Sequence, residues 1–294
     1  MNHTVKEGDV LDLMDSLEKE SIDVIVTSPP YNIGVDYGNY KDNLPAEEYE
    51  TFIFNFLSQA QRVLKPEGSL FYNVGTKPST QEYLGLHLRG VLENFDLQNL
   101  IIWVKSIYIH DILPVYLHEL LALGVSLAYS EGAISKSKQN KANAFLNLLV
   151  EGKTFGHNKP CNSDRFLNSC WEPIIHATKH KTAKLDKLAV GVPYTCKSEI
   201  KRRKKTVDLK DGGNIWYVPY QTVKSKKEHP AAFPPELPEK CIKLHGIYKD
   251  MVVLDPFCGA GNTGLACKKL DVDFIGLDLN PDYVSLAKSR IELL

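Results

Sequence analysis

Apolar and polar positions alternate along both ends of the chain in the manner of a sheet covered by helices. Near the amino terminus the apolar runs IDVIVTS (22–28), SLFYNVG (69–75) and LQNLIIWVK (97–105) flank YETFIFNFLSQAQRVL (49–64), whose apolar residues recur at helical spacing. The same alternation returns with MVVLD (251–255) and DFIGLDL (273–279). Continuous apolar strands between amphipathic helices predict an α/β fold with a mostly parallel, doubly wound sheet built from both chain ends.

The alternation lapses in the middle of the chain, between about residues 106 and 228. This stretch holds an apolar segment (112–129), a polar helical segment (135–152), a loop around 156–162 and one strand-like run, CWEPIIHATK (170–179). We therefore predict a core formed by residues 1–105 and 229–294, with 106–228 as an inserted region. The apolar segment is interpreted as a core helix, and a dimer surface is the alternative.

Composition narrows the class of protein without identifying it. The 294 residues are 43% hydrophobic and 24% charged, which is typical of a soluble globular protein. The formal net charge of -1 means that the charge of the chain as a whole does not indicate a polyanionic partner. The six cysteines form no CxxC pair or zinc-like spacing, so we expect neither a disulfide framework nor a metal site. Without a signal-like or membrane-spanning segment, a cytoplasmic location is predicted.

A glycine turn follows the strand predicted at 251–255. In DPFCGAGNTG (255–264), Gly259, Gly261 and Gly264 have G-x-G-x-x-G spacing, which allows close backbone approach by a ligand, although an ordinary strand-to-helix turn is the alternative. Asp278, at the end of the next strand, is placed to accept hydrogen bonds from ribose hydroxyls. Asp255 would crowd a pyrophosphate but could help to hold an ammonium or sulfonium group. Together these features favour S-adenosylmethionine over NAD.

A proline corner follows the strand at 22–28. In VTSPPYNIG (26–34), the Ser28 hydroxyl and the Pro29 carbonyl offer mainly hydrogen-bond acceptors, because prolines cannot donate. Such a corner suits a planar amine that donates two hydrogens, and Tyr31 offers a face on which a base can stack. Two acceptors that hold both N–H bonds would redirect the amine lone pair toward a methyl donor.

These motifs carry a resemblance to a known family. TSPPYNIG, DPFCGAGNTG and HPAAFP (229–234) resemble the DNA amino-methyltransferases of restriction-modification systems, and their order resembles the circularly permuted β class. The matched segments span residues 5–105 and 215–292. The resemblance implies a Rossmann-like fold, S-adenosylmethionine as cofactor, double-stranded DNA as substrate, and a target base flipped out of the duplex.

The resemblance also implies roles for individual residues. The base would contact the corner residues Ser28, Pro29, Pro30 and Tyr31. The cofactor would be bound by Asp255, Pro256, Phe257, Gly259, Gly261 and Asp278, with His229, Pro230 and Phe233 closing over its methionine end. Asp9 resembles the acid that approaches the cofactor adenine, and a helix N-cap is the alternative role.

The segment 179–210 is strongly basic, with eleven basic residues against three acidic ones, a local net charge of +8. In a DNA enzyme it would grip phosphates, and a solvated surface is the alternative. Within the predicted recognition region, Trp171, Trp216 and Tyr217 either line the path of the base or pack. The candidate phosphate contacts are Lys197, Lys201, Arg202, Arg203, Lys204 and Lys205.

In the family that the chain resembles, TSPP commonly accompanies N4 enzymes and DPPY commonly accompanies N6 enzymes. The resemblance therefore implies cytosine N4 as the methylated atom, and adenine N6 is the alternative. An RNA or protein-glutamine methyltransferase, or a non-catalytic DNA-binding module, fits the motifs less well. The family suggests a separately acting cognate restriction endonuclease, and a homodimer stays open.

Overall fold

The computed structural model describes residues 2–35, 37, 40–75, 77, 80–106, 126–133, 135–140, 164–165, 169–219 and 232–294. By internal contacts the chain divides into one unit formed by Met1–Lys105 and Asn158–Leu294 and a second formed by Ser106–His157. The described parts of the second unit include two short helical stretches at 126–130 and 136–140. The rest of the predicted helices in 112–152, the loop around 156–162, His229 and Pro230 lie outside the described residues.

The first unit is built on an eight-stranded sheet, counted over the described residues. Its strands are β1 (His3–Glu7), β2 (Ile22–Thr27), β3 (Leu64–Asn73), β4 (Asp96–Ser106), β5 (Trp171–Thr178), β6 (Ile215–Pro219), β7 (Val252–Asp255) and β8 (Asp273–Asp278). The helices are α1 (Val10–Asp15), α2 (Ala46–Val63), α3 (Glu82–Asn94), α4 (Ser198–Arg202), α5 (Glu236–His245), α6 (Asn262–Leu270) and α7 (Pro281–Glu292).

The strand order is β1-β8-β7-β2-β3-β5-β4-β6. The pairs from β1 to β3 are parallel, whereas β5 runs antiparallel between β3 and β4. The α/β fold with a mostly parallel sheet is therefore confirmed.

The two faces of the sheet bury separate apolar clusters. Along β2, Val24 and Val26 face the cluster that contains α5, α6 and α7, whereas Ile25, between them, faces the cluster that contains α1, α2 and α3. This alternation follows from the period of two along a strand. It also explains why the strands are continuously apolar, since both faces are covered.

The neighbours β2 and β7 form a topological switch point. They pair in parallel, with Ile25 opposite Leu254. From β7 the chain continues through α6 to β8 on one side, and from β2 it continues through α2 to β3 on the other. In open α/β sheets, a crevice forms outside the carboxyl ends of such strands. The proline corner and the glycine turn both leave the sheet at this crevice.

Two stretches of the predicted insertion are strands of the main sheet. β5 and β6 both lie within residues 106–228, and β5 pairs with both β3 and β4. Trp216, on β6, is 3% exposed and packs in the core, whereas Trp171 and Tyr217 are exposed. Residues 106–228 therefore contribute two strands to the main sheet. The role of this region in DNA recognition stays a prediction.

Candidate active site

The glycine turn after β7 has the backbone conformation that its sequence predicts. Gly259 and Gly261 have positive φ angles of 48° and 79°, which L-residues with side chains rarely adopt. A Cβ atom on Gly261 would lie 2.8 Å from the Cβ of Ala287, so this glycine also allows close packing of α7. The turn leads directly into α6, whose first residue is Asn262.

Asp255 lies beneath the turn and joins it to β2. Its carboxylate accepts hydrogen bonds from Thr27 Oγ1 (2.8 Å), Thr263 Oγ1 (2.5 Å) and the Phe257 N–H (3.2 Å). Burial raises the pKa of Asp255 to about 6, although these three hydrogen bonds act to lower the pKa. Asp255 lines neither of the cavities described below. It holds the turn in place, and its predicted contact with the cofactor stays a prediction.

Asp278 does face the crevice. Its carboxylate accepts from the Gly259 N–H (2.8 Å) and the Asn280 N–H (2.9 Å), so the acid fixes the turn while it lines the larger cavity. Burial raises the pKa of Asp278, and the two backbone donors oppose that rise. Asp9 caps α1 through a bond from the Leu11 N–H (2.8 Å) and lines the same cavity. The two predicted roles of Asp9 are therefore compatible.

Two cavities meet at the switch point. The larger has a volume of about 780 Å³ including its open mouth, and the smaller about 300 Å³. Ser28 and Phe257 line both cavities, so the proline corner and the glycine turn share one site. The larger cavity is also lined by Pro29, Pro30, Tyr31, Pro256 and Asp278, and the smaller by Phe233 and Gly259. Gly261 lines neither.

A buried hydrogen-bond chain fixes the carbonyl group of Pro30. Tyr49 Oη lies 2.8 Å from Pro30 O and 3.0 Å from His87 Nε2, and Tyr72 Oη lies 2.8 Å from His87 Nδ1. Because a carbonyl only accepts, Tyr49 donates to Pro30, His87 donates from Nε2 to Tyr49, and Tyr72 donates to Nδ1. Burial lowers the pKa of His87 to about 3, which keeps the ring neutral, as this arrangement requires.

Tyr31 is buried beside the corner. Its hydroxyl contacts Ser28 Oγ and accepts a hydrogen bond from Asn73 Nδ2 (2.9 Å). A Cβ atom on Gly75 would collide with the Tyr31 ring, so the ring lies directly against this glycine. Burial raises the pKa of Tyr31 well above its ordinary value. The hydroxyl is therefore a protonated part of the corner, and stacking of a base on the ring stays a prediction.

Some residues of the site belong to none of the sequence motifs. Asp42 accepts from the N–H groups of Asn32 (2.8 Å), Ile33 (3.0 Å) and Val35 (2.9 Å), so it holds the loop after the corner. The larger cavity has an aromatic and polar wall that the motifs did not indicate, formed by Tyr37, Tyr40, Phe52, Asn280 and Tyr283.

The six predicted phosphate contacts are all exposed. Lys197 pairs with Asp208, while Arg202 and Arg203 both approach Glu199. Ion pairs thus neutralise part of the basic segment.

Comparison with known proteins places the chain in a family. A family model described as DNA methylase, of the N6/N4 methyltransferase type, matches residues 22–289. The chain belongs to the DNA methylase family. This DNA methylase is 30% identical over 285 residues to the type II methyltransferase M.HpaI of Haemophilus parainfluenzae, covering 95% of this chain and 71% of the relative. The predicted family and its class of activity, methylation of amino groups in DNA, are confirmed.

Solved structures share the fold of this DNA methylase. The cytosine-N4-specific PvuII DNA methyltransferase aligns with a TM-score of 0.63 at 19% identity, over 99% of this chain and 86% of the other. The M1.HpyAVI–SAM complex aligns with a TM-score of 0.55 at 20% identity, over 99% of each chain. The predicted cofactor, S-adenosylmethionine, is the one that the family uses.

Proposed function

We propose that this DNA methylase transfers a methyl group from S-adenosylmethionine to the exocyclic amino group of a base flipped out of duplex DNA. Cytosine N4 is the first choice and adenine N6 the second. The proposal depends on one observation: Ser28 lines both cavities, so an amine held at the corner adjoins whatever occupies the glycine-turn site. The family includes N6 and N4 enzymes, so the choice of cytosine depends on the serine that precedes the prolines.

The chain's residues fit the proposed cofactor. Among the described residues, the buried Tyr40 hydroxyl and Asn262 Oδ1 have no hydrogen-bond partner, and each belongs to a residue that lines one of the two cavities. Unsatisfied buried polar atoms at a cavity are suited to a polar ligand. Asp278 and Asp9 would hold the adenosine part in the larger cavity, and Phe233 would adjoin the methionine part in the smaller one. When bound, the sulfonium supplies an electrophilic methyl group.

The corner would position the amine. The Ser28 oxygen and the Pro29 carbonyl would accept hydrogen bonds from its two N–H groups. These bonds would direct the nitrogen lone pair away from the plane of the base. The amine nitrogen would form an N–C bond to the methyl group as the S–C bond breaks, and it would then lose one proton to solvent, since methylation greatly increases its acidity. Positioning of two reactants is the main contribution of the protein.

The basic segment would bind DNA phosphates around the flipped base. Lys201, Lys204 and Lys205 are exposed and form no ion pair within the described part of the chain. We further propose residues 106–228 as the recognition region, whose strands β5 and β6 would tie it to the core. A homodimer, a separate cognate endonuclease and a cytoplasmic location complete the proposal.

Nucleoside analysis tests the proposal directly. The purified chain is incubated with tritiated S-adenosylmethionine and, in separate reactions, unmethylated plasmid DNA, RNA or a protein extract. We expect label in DNA, which digestion and mass analysis would identify as N4-methylcytosine. N6-methyladenine would select the alternative base, and label confined to RNA or protein would refute the proposal.

Substitution of Asp278 tests the cofactor site. Asp278→Ala removes an acceptor that would serve the ribose, and a hydrogen bond to a charged group contributes about 1.5–3 kcal/mol. Calorimetry should therefore show the Kd for S-adenosylmethionine rising by about ten- to a hundredfold. Asp282→Ala, at an exposed acid of α7, is the matched control and should leave the Kd unchanged. Equal affinity in both variants would contradict the assignment.

A further inference from the structure

A second hydrogen-bond chain lies behind the proline corner and ends at Ser28. Lys105 forms an ion pair with Glu172 at the start of β5. Asn73 Nδ2, at the end of β3, lies 2.8 Å from Glu172 Oε2 and 2.9 Å from Tyr31 Oη. The Tyr31 hydroxyl in turn contacts Ser28 Oγ. This hydrogen-bond chain connects the Lys105–Glu172 ion pair to Ser28, which lines both cavities.

The chemistry of each group fixes the direction of this chain. A carboxylate only accepts, so Asn73 must turn its amino group toward Glu172. The second N–H of the same amino group then donates to the Tyr31 oxygen. The alternative amide orientation would set the Asn73 oxygen against the carboxylate. In the assigned orientation Asn73 Oδ1 is buried and has no partner among the described residues, which costs less than placing it against the carboxylate.

Tyr31 therefore directs its own proton toward Ser28. Its oxygen accepts from Asn73. Either hydroxyl of the Tyr31–Ser28 contact could be the donor, and because the Tyr31 oxygen already accepts, we assign the donor role to Tyr31 and the acceptor role to Ser28 Oγ. A serine hydroxyl has one proton and two lone pairs. Ser28 consequently keeps its O–H and one lone pair for the cavities that it lines. From sequence the corner was expected to offer mainly acceptors, and this chain adds a donor.

We propose that Ser28 reads a base edge at which an amino group adjoins an unprotonated ring nitrogen. Its lone pair accepts from the amine while its O–H donates to the ring nitrogen. Cytosine N4 with N3, and adenine N6 with N1, both present this edge. On its Watson–Crick edge guanine presents its amino group beside an N–H, so that edge is disfavoured. Asn73 and Glu172 are positioning residues that set this selectivity, and the inference rests on the proposed function.

The contact with the ring nitrogen serves recognition more than rate. It is available before methyl transfer begins, and the ring nitrogen gains no charge as the amine is methylated. An interaction equally strong in the ground state and the transition state lowers KM without raising kcat. Selectivity should therefore appear in KM.

The test compares two duplex oligonucleotides. One carries the methylated base identified by nucleoside analysis, and the other carries the same base with CH in place of the ring nitrogen, 3-deazacytosine or 1-deazaadenine. In the wild type we expect the deaza duplex to raise KM about five- to tenfold, the effect of one neutral hydrogen bond. For each enzyme, the KM for the deaza duplex is divided by the KM for the ordinary duplex. Comparing this ratio between the wild type and a variant cancels the altered reactivity of the analogue itself.

Two variants should change the direction of the hydrogen bonds between Glu172 and Ser28. In Asn73→Asp, a carboxyl oxygen accepts the Tyr31 proton, so Ser28 donates to Tyr31 and offers the cavity only lone pairs. In Glu172→Gln, the side chain at 172 no longer requires a donor, and the Asn73 amide can turn. We expect the KM ratio to fall toward one in Asn73→Asp and to an intermediate value in Glu172→Gln. Glu172→Gln also keeps the test valid if Asn73→Asp does not fold.

Asn99→Asp is the matched control, because Asn99 bonds to His176 elsewhere in the sheet. Its KM ratio should equal that of the wild type. Equal KM values for the two duplexes in the wild type would overturn the inference, as would a wild-type ratio in Asn73→Asp and Glu172→Gln. Failure of the wild type to methylate the ordinary duplex would instead refute the proposed function.

Discussion

The buried carboxyl of Asp255 should make the stability of the protein depend on pH in an unusual direction. Burial raises the pKa of this group from 3.8 to about 6. The folded protein therefore binds the proton more tightly than the unfolded chain does. The resulting stabilisation is fully present below pH 3.8 and is lost as the pH rises through 6. Most carboxyl groups have the opposite effect, because their pKa falls on folding.

The magnitude follows from the shift. A change of one pKa unit corresponds to about 1.4 kcal/mol, so the whole effect is about 3 kcal/mol. Between about pH 4.5 and pH 8, the part of the titration in this window amounts to about 2 kcal/mol. Asp255 is 1% exposed, so solvent screens the effect little. Asp255→Asn keeps the shape of the side chain and removes its titration.

Urea unfolding of the cofactor-free protein measures the effect. The free energy of unfolding of the wild type minus that of Asp255→Asn should fall by about 2 kcal/mol across that pH window. Taking this difference cancels the groups that titrate in both proteins. Thr263→Val removes a hydroxyl that lowers the pKa of Asp255, so the midpoint of the fall should move to higher pH. A difference that stays constant within about 0.5 kcal/mol, or that grows with pH, would refute the reasoning.

Three further substitutions have defined outcomes. Tyr49→Phe removes the donor to the Pro30 carbonyl and should lower kcat about five- to tenfold. Calorimetry should show an unchanged Kd for S-adenosylmethionine. An unchanged kcat would contradict the idea that this bond positions the proline corner. Gly261→Ala should destabilise the fold by at least about 1–2 kcal/mol in urea, because φ is 79° and Ala287 lies close, whereas Gly85→Ala in α3 has open space and should not destabilise. Replacing three exposed lysines with glutamine should reduce the slope of log K for DNA against log salt by up to about 2.7, and an unchanged slope would place the phosphates elsewhere; the three are Lys201, Lys204 and Lys205.

The strands at the centre of the sheet could be predicted because their pattern is local. The apolar runs of β2, β7 and β8 correspond to strands covered on both faces. β1 was missed because HTVKE is short and largely polar, as befits an edge strand that pairs only with β8. The joining of β5 to β3 and β4 could not be predicted, since nothing in the sequence of β5 indicates which strands it will pair with.

Motif residues of the site were predictable, whereas their supporting partners were not. The proline corner and the glycine turn have short, specific sequences. His87, Asn73 and Glu172 act through contacts with distant parts of the chain, and no spacing relates them to the motifs. Asp42 is close to the proline corner in sequence, but it belongs to no motif and acts through backbone N–H groups of the loop. One available signal was the polar Asn73 at the end of the apolar run SLFYN, at the edge of the sheet where the motifs also lie.

The position of Asp255 explains how two distant chain segments form one site. Thr27, the last residue of β2, donates to the acid that ends β7, and Ser28 follows Thr27 directly. The bond therefore joins the glycine turn to the residue that immediately precedes the corner. This contact and the parallel pairing of β2 with β7 depend on spatial neighbours, not on chain order. A catalytic motif can therefore precede the cofactor motif without any change in the site, because the switch point is defined by the sheet.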